Sequence, residues 1–233
     1  MSARIEIADD PARACAAMLV GACADAGHVV LTGGSTPKAA YEELVKTVAS
    51  VNVDLSQTTF WFGDERCVAP EDERSNYGMA RAALLEPLGE ANQPRVERMQ
   101  GELGPGAGAD DYEERLKNAG PQEFDLLLLG IGPDGHTMSL FPDQPTLQER
   151  SRLVVGVERA GLEPFVPRIS LTLPALRRAR QVVVLASGEG KADAVAAAFA
   201  PDAEPNPRVP SSMLAEFAPE LIVLIDPAAA SRL

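Results

Sequence analysis

The 233-residue chain is poor in several things, and each shortage narrows its chemistry. It has three cysteines, Cys15, Cys23 and Cys67, an odd number with no CxxC spacing. Neither a disulfide framework nor a zinc site is expected from them. Cys15 and Cys23 fall in an Ala-rich helical pattern and read as small core residues. No apolar run approaches the ~20 residues that a membrane-crossing helix needs. The opening MSARIEIADD lacks a basic start followed by an apolar core, so no secretory signal is expected. A reduced, cytoplasmic protein is the reading that follows.

Positive charge is also scarce. Lys and Arg number 21 against 34 Asp and Glu, a formal net charge of −13. That balance argues against nucleic acid or an anionic membrane as partner. A small anionic ligand would have to be held by a few local cations working against the protein's own field. Lys and Arg inside Gly-rich loops therefore carry extra weight. Histidine occurs only twice, at His28 and His136.

What is present is an alternation of strand-like and helix-like segments. Strands are expected at 28–31, 58–62, 124–129, 153–157, 168–172, 181–186 and 221–225. Helices are expected at 10–26, from Pro37 to about Val48, from Ser75 or Asn76 to about Leu85, at 109–119 and at 191–199. Ser35 or Thr36 would cap the second helix. The stretch 101–108, GELGPGAG, reads as a flexible turn, and 201–210 as a Pro-rich surface loop. The near-continuous apolar run FDLLLL is the pattern of a strand buried on both faces. This rhythm predicts a single α/β domain over 1–233, a doubly wound, mainly parallel sheet with helices on both faces.

In such a sheet the strand exits lie along one edge, where the chemistry collects. Four exits carry polar constellations. In FDLLLLGIGPDGHTMSLFP (124–142) a buried strand ends in a Gly-rich turn holding Asp134 and His136. A histidine beside a carboxylate on a loop is a candidate base with its orienting partner. GIGPDG matches GxGxxG formally, but Pro133 lies inside it and Pro142 and Pro145 prevent a long helix, so a dinucleotide site is rejected. In LTGGSTPKAAYEEL (31–44), Gly34, Ser35 and Thr36 lead into a helix start that is either an ordinary turn or an anion site. In FWFGDER (60–66), Asp64 and Arg66 follow a strand end, and Arg66 could fork onto a phosphate or carboxylate. In LASGEGKADAV (185–195), Lys191 sits in a first helical turn, where a cation opposes the helix dipole unless an anion shares the site. Arg168, opening RISLT, is a further cation. His28, directly before VVL, reads as structural.

Together GGSTP (33–37), GDER (63–66), SNY (75–77), GIGPDGHTMSLFP (130–142), PRISLT (167–172) and SGEGKADAV (187–195) resemble the 6-phosphogluconolactonase and glucosamine-6-phosphate isomerase/deaminase family, on its lactonase side. The resemblance spans most of the chain. It implies a sugar-phosphate isomerase-like fold and hydrolysis of 6-phospho-D-glucono-1,5-lactone to 6-phospho-D-gluconate in the pentose phosphate pathway. His136 would be the general base and Asp134 its partner. Arg66 and Lys191 would hold the phosphate with the loop at Gly34, Ser35 and Thr36, and Asn76 and Arg168 would add contacts. No cofactor and no metal are implied, and the protein would be a monomer or weak homodimer. Two residues depart from the family pattern: Met138, where Ala is common, and Asp143, where Gly is common. The deaminase side has a Tyr where this chain has Arg66 and a Glu where it has Phe141. A non-catalytic sugar-phosphate-binding protein is the remaining alternative.

Overall fold

The computed structural model describes residues 3–118 and 120–233. In chain order its first half contains β1 (Arg4–Ile7), α1 (Pro11–Cys23), β2 (His28–Leu31), α2 (Ser35–Val51), β3 (Thr59–Phe62), β4 (Asp64–Arg66), α3 (Asn76–Ala80) and β5 (Arg95–Val96). The second half contains α4 (Pro105–Asn118), β6 (Leu126–Leu129), β7 (Val154–Val157), β8 (Arg168–Leu171), β9 (Val182–Ala186), α5 (Ala192–Phe199) and β10 (Leu221–Ile225). Local sequence explains several boundaries. Pro11 sits in the first turn of α1, and the Asp10 carboxylate caps it by accepting from Arg13 N at 3.0 Å. Ser75 caps α3 by accepting from Gly78 N at 3.0 Å. The expected cap at Ser35 or Thr36 is not formed. α2 begins at Ser35 itself, behind Gly34 with φ 113°, and no side chain caps it.

The main sheet is parallel throughout, with strand order β1-β10-β9-β6-β2-β3-β5. Every residue of β6, β9 and β10 is buried, as their unbroken apolar sequences require. The core is continuous from Cys15 and Leu19 of α1 through the strands to Tyr41 and Leu44 of α2. Cys15 and Cys23 are core residues as expected, and burial pushes both thiols up to about 12.

Two expected strands leave this sheet. β7 and β8 pair with β4 in a separate antiparallel sheet of order β4-β8-β7, and α4 packs on β7 and β8. Val154 and Val157 are buried while Val155 and Gly156 are partly exposed, the half-covered pattern of a strand outside the main layer. The stretch 101–108 is also more ordered than its glycines suggest: Gly101–Leu103 makes a 3-10 turn and α4 starts at Pro105. The stretch 201–210 is irregular and mostly exposed, as expected.

The strand order places the site. From β2 the chain runs outward through β3 to β5; from β6 it runs the other way through β9 to β10. β2 and β6 are neighbours, so a crevice opens beyond their carboxyl ends.

Candidate active site

A cleft of about 230 Å³ lies at that switch point. The β2 exit (Thr32, Gly33, Gly34) and the β6 exit (Gly130–Pro133, His136) line it, with Asp64, Arg66, Asn76, Arg168 and Lys191 closing the sides. Four loops far apart in sequence therefore converge as the parallel topology predicts.

The β6 exit is a compact turn. Gly132 N donates to His136 O at 2.8 Å and Gly135 N donates to Gly132 O at 3.0 Å. His136 N donates to Asp134 Oδ1 at 3.2 Å, and the same oxygen is 2.5 Å from His136 Nδ1. Burial raises the Asp134 carboxyl, but bonds and charge from His136 outweigh it and hold the group below the usual carboxylate range. An ionised carboxylate only accepts, so Nδ1 carries the hydrogen and Nε2 is the basic nitrogen. Gly132 is required by this packing. A Cβ there would lie 2.0 Å from His136 Nδ1 and 2.5 Å from Asp134 Oδ1. The turn is latched from a distant segment: Ser211, fully buried, donates to Gly135 O from N at 2.9 Å and from Oγ at 2.8 Å.

The β2 exit is pinned by Tyr41 of α2. Its hydroxyl accepts from Thr32 N at 2.9 Å and donates to Thr32 O at 2.8 Å. Gly33 admits Asn76, whose Oδ1 would lie 1.9 Å from a Cβ at 33. Ser35 and Thr36, expected to help hold an anion, do not line the cleft. The uncapped first turn of α2 offers backbone N–H groups rather than hydroxyls.

β4 carries three consecutive charged residues with different duties. Asp64 Oδ2 accepts from Ser139 Oγ at 2.6 Å, and Oδ1 accepts from Asn76 Nδ2 at 3.1 Å. Asp64 lines the cleft, but both its oxygens already hold protein groups. Glu65 accepts four bonds: from Arg66 N and Asn76 N at 2.7 Å, Tyr77 N at 2.8 Å and Ser75 Oγ at 3.0 Å. Burial pushes its carboxyl up against those four donors. Glu65 thus welds β4 to the start of α3 and fixes Arg66 and Asn76 together. Arg66 donates from Nη1 to Arg74 O, while its buried Nε has no partner among the described residues.

The remaining cations approach from other elements. Lys191 Nζ donates to Ile131 O at 2.7 Å, against the turn that carries Asp134 and His136. Burial lowers its pKa, opposed by the charge of Asp134. Its loop is tied down by Asp226, which accepts from Ser187 Oγ at 2.5 Å and Gly188 N at 2.9 Å. Arg168 on β8 is 3% exposed, donates from Nε to Val166 O at 3.1 Å and from Nη2 to Pro164 O at 2.8 Å, and is lowered by burial. His28 lies at the opposite end of β2, where Nδ1 accepts from Trp61 Nε1 at 3.1 Å; it is structural, as expected.

The two departures from the family pattern both have positive φ, 53° at Met138 and 56° at Asp143. Left-handed backbone accounts for a glycine preference at Asp143. Met138 is 6% exposed and lines the cleft, so it belongs to the cavity wall. Sequence reasoning missed Glu65, Ser211 and Asp226. Only Asp226 had an available signal, a carboxylate directly after the apolar strand LIVLI.

Residues 3–223 match the family described as Glucosamine-6-phosphate isomerases/6-phosphogluconolactonase. The chain is 39% identical to human 6-phosphogluconolactonase over 208 residues, which is 87% of this chain and 79% of the human protein. It is 40% identical to 6-phosphogluconolactonase of Streptomyces coelicolor over 206 residues, 81% of this chain and 78% of that one. The structure of 6-phosphogluconolactonase from Trypanosoma brucei superposes with a TM-score of 0.84 at 26% identity, covering 100% of this chain and 99% of that chain. A monomeric glucosamine-6-phosphate deaminase, at 19% identity and a TM-score of 0.85 over the full length of both chains, has the same fold. The chain belongs to the glucosamine-6-phosphate isomerase/6-phosphogluconolactonase family.

Proposed function

We propose that this protein hydrolyses 6-phospho-D-glucono-1,5-lactone to 6-phospho-D-gluconate, the lactonase step of the pentose phosphate pathway. The observation that carries the reading is the meeting, in one cleft, of an Asp134-backed imidazole with Arg66, Arg168 and Lys191. The named relatives support the same substrate.

Neutral His136 takes a proton at Nε2 from a water whose oxygen bonds to C1 of the lactone. The tetrahedral adduct then breaks its bond from C1 to the ring oxygen. The imidazolium returns the proton to that oxygen, leaving a C5 hydroxyl and a C1 carboxylic acid, which ionises at neutral pH. General base action of this kind is worth about 10²–10⁴-fold. Asp134 holds the tautomer and stabilises the imidazolium. Arg66 and Lys191, with the first turn of α2, bind the phosphate; Arg168 and Asn76 complete the wall. Phosphate binding away from C1 supplies orientation rather than chemistry.

Deamination of an amino-sugar phosphate fits less well. Phe141, buried and apolar, cannot move a proton from its place beside the base. The reading extends to a cytoplasmic protein, monomeric or weakly dimeric, that binds neither nucleic acid nor membrane; the net charge of −13 supports the latter by repelling polyanions. Among the described residues no helix is long and apolar enough to cross a membrane.

The test is hydrolysis of the phosphorylated lactone above its spontaneous rate, by wild type and His136→Ala, with the unphosphorylated lactone in parallel. Wild-type acceleration that falls at least 10²-fold in the variant, with preference for the phosphorylated lactone, is expected. A wild type that does not exceed the spontaneous rate refutes the reading.

A further inference from the structure

Phe141 lines the cleft while being only 1% exposed, and no step above uses it. Its ring centroid is 4.8 Å from that of His136, with the planes inclined at 39°. The guanidinium of Arg168 sits over the Phe141 ring at 6.0 Å. Phe141 does not belong to the main core. It forms a small separate cluster with Val157 and Ala160, onto which Leu162 packs. Gly161 passes so close that a Cβ there would meet Phe141 Cβ and Cγ at 3.0 Å. Leu162 and Glu163, next along the loop, line the cleft themselves.

The imidazole of His136 therefore has two supports of different kinds. The bond from Nδ1 to Asp134 fixes the tautomer and one atom of the ring. It leaves the ring free to tilt about that bond, and the tilt decides where Nε2 points. The Phe141 ring, inclined at 39° and 4.8 Å away between centroids, stands where it can oppose that tilt. We propose that Phe141 is a positioning residue for the reaction: it sets the direction of the basic nitrogen and ties that direction to the loop at 158–163. The inference rests on the lactone-hydrolysis reading above.

The experiment measures kcat and KM for the phosphorylated lactone in wild type, Phe141→Leu and Phe141→Ala, with thermal melting of each. Leucine keeps most of the apolar volume but has no flat face, so it remains informative if the alanine variant does not fold. Removal of orientation alone lowers kcat, by about 10²-fold for a displacement near 1 Å, and leaves KM close to wild type. A Phe141→Leu protein that melts like wild type yet loses at least tenfold in kcat at unchanged KM is the expected result. Wild-type kcat in Phe141→Leu, or a rise in KM with kcat unchanged, overturns the inference and assigns the ring to packing or substrate binding. The two readings fail separately. Wild type that does not exceed the spontaneous rate removes the reaction and the inference with it. An active wild type beside an equally active leucine variant removes the inference alone.

Discussion

Gly132→Ala is the sharpest perturbation this site offers, because one methyl group is aimed at both His136 and Asp134, the proposed base and its orienting partner. The added Cβ would stand 2.0 Å from His136 Nδ1 and 2.5 Å from Asp134 Oδ1, whereas ordinary contact begins at 3.4 Å. The imidazole must retreat by roughly 1.4 Å to restore contact, and the carboxylate by roughly 0.9 Å. Displacements near 1 Å cost about 10²-fold in rate, or ~2.7 kcal/mol in the barrier. Complete loss of the base sets the upper limit at about 10⁴-fold. Gly106→Ala is the control, in the first turn of α4 and outside the lining of the cleft. Its Cβ meets nothing within 4 Å. The assay is steady-state lactone hydrolysis corrected for spontaneous opening, with melting curves for both variants. Gly132→Ala is expected to lose kcat by at least 10²-fold with a small change in KM, and Gly106→Ala to stay within a few-fold of wild type. Equal activity in the two variants would refute the claim that the geometry of this turn sets the rate.

Arg66→Ala should raise KM for the phosphorylated lactone by about 10–10²-fold, since a charge-assisted bond contributes ~1.5–3 kcal/mol, and should leave the unphosphorylated lactone nearly unaffected; competition by inorganic phosphate checks the same contact. Asp134→Asn should lower kcat by about 10²-fold through loss of the tautomer. The same substitution has a pH signature in stability. The folded Asp134 carboxyl lies below its unfolded value of ~3.9, so its contribution is present above that pH and is lost as pH falls through the lowered folded value. Melting curves of wild type and Asp134→Asn should differ by a constant amount above about pH 5, begin to converge below ~3.9 and meet only once the pH is under the lowered folded value.

Sequence periodicity identified the strands that are buried on both faces. HVVL at 28–31 and LIVLI at 221–225 coincide with β2 and β10 because unbroken apolar sequence has one stable place in an α/β fold. The site was legible for the same reason: polar residues directly after such strands must gather at one edge. The second sheet was not legible. Asp64, Glu65 and Arg66 have the composition of a solvated loop, and only pairing with Arg168–Ser170, about a hundred residues later, makes them a strand. β5 has two residues and no pattern to read. Glu65 and Ser211 escaped because their partners, three backbone N–H groups and Ser75 Oγ for the one and Gly135 O for the other, are brought to them by the fold. The start of α2 at Ser35 itself, with no side-chain cap, was not legible either, because Ser and Thr just before a proline have the composition of a cap.

Arg66 and Arg168 stand on the antiparallel sheet, whereas Asp134 and His136 share a turn at the exit of a strand in the parallel one. The two arginines face each other in register on neighbouring strands, Arg66 opposite Arg168. The layers are nevertheless stitched together beside the imidazole: Ser139 bonds Asp64 and Ser170 of the antiparallel sheet, and Phe141 packs on Val157 of the same sheet. A shift of one sheet against the other therefore reaches the two arginines and the surroundings of the imidazole together, so substitutions between the layers are expected to change KM and kcat in concert.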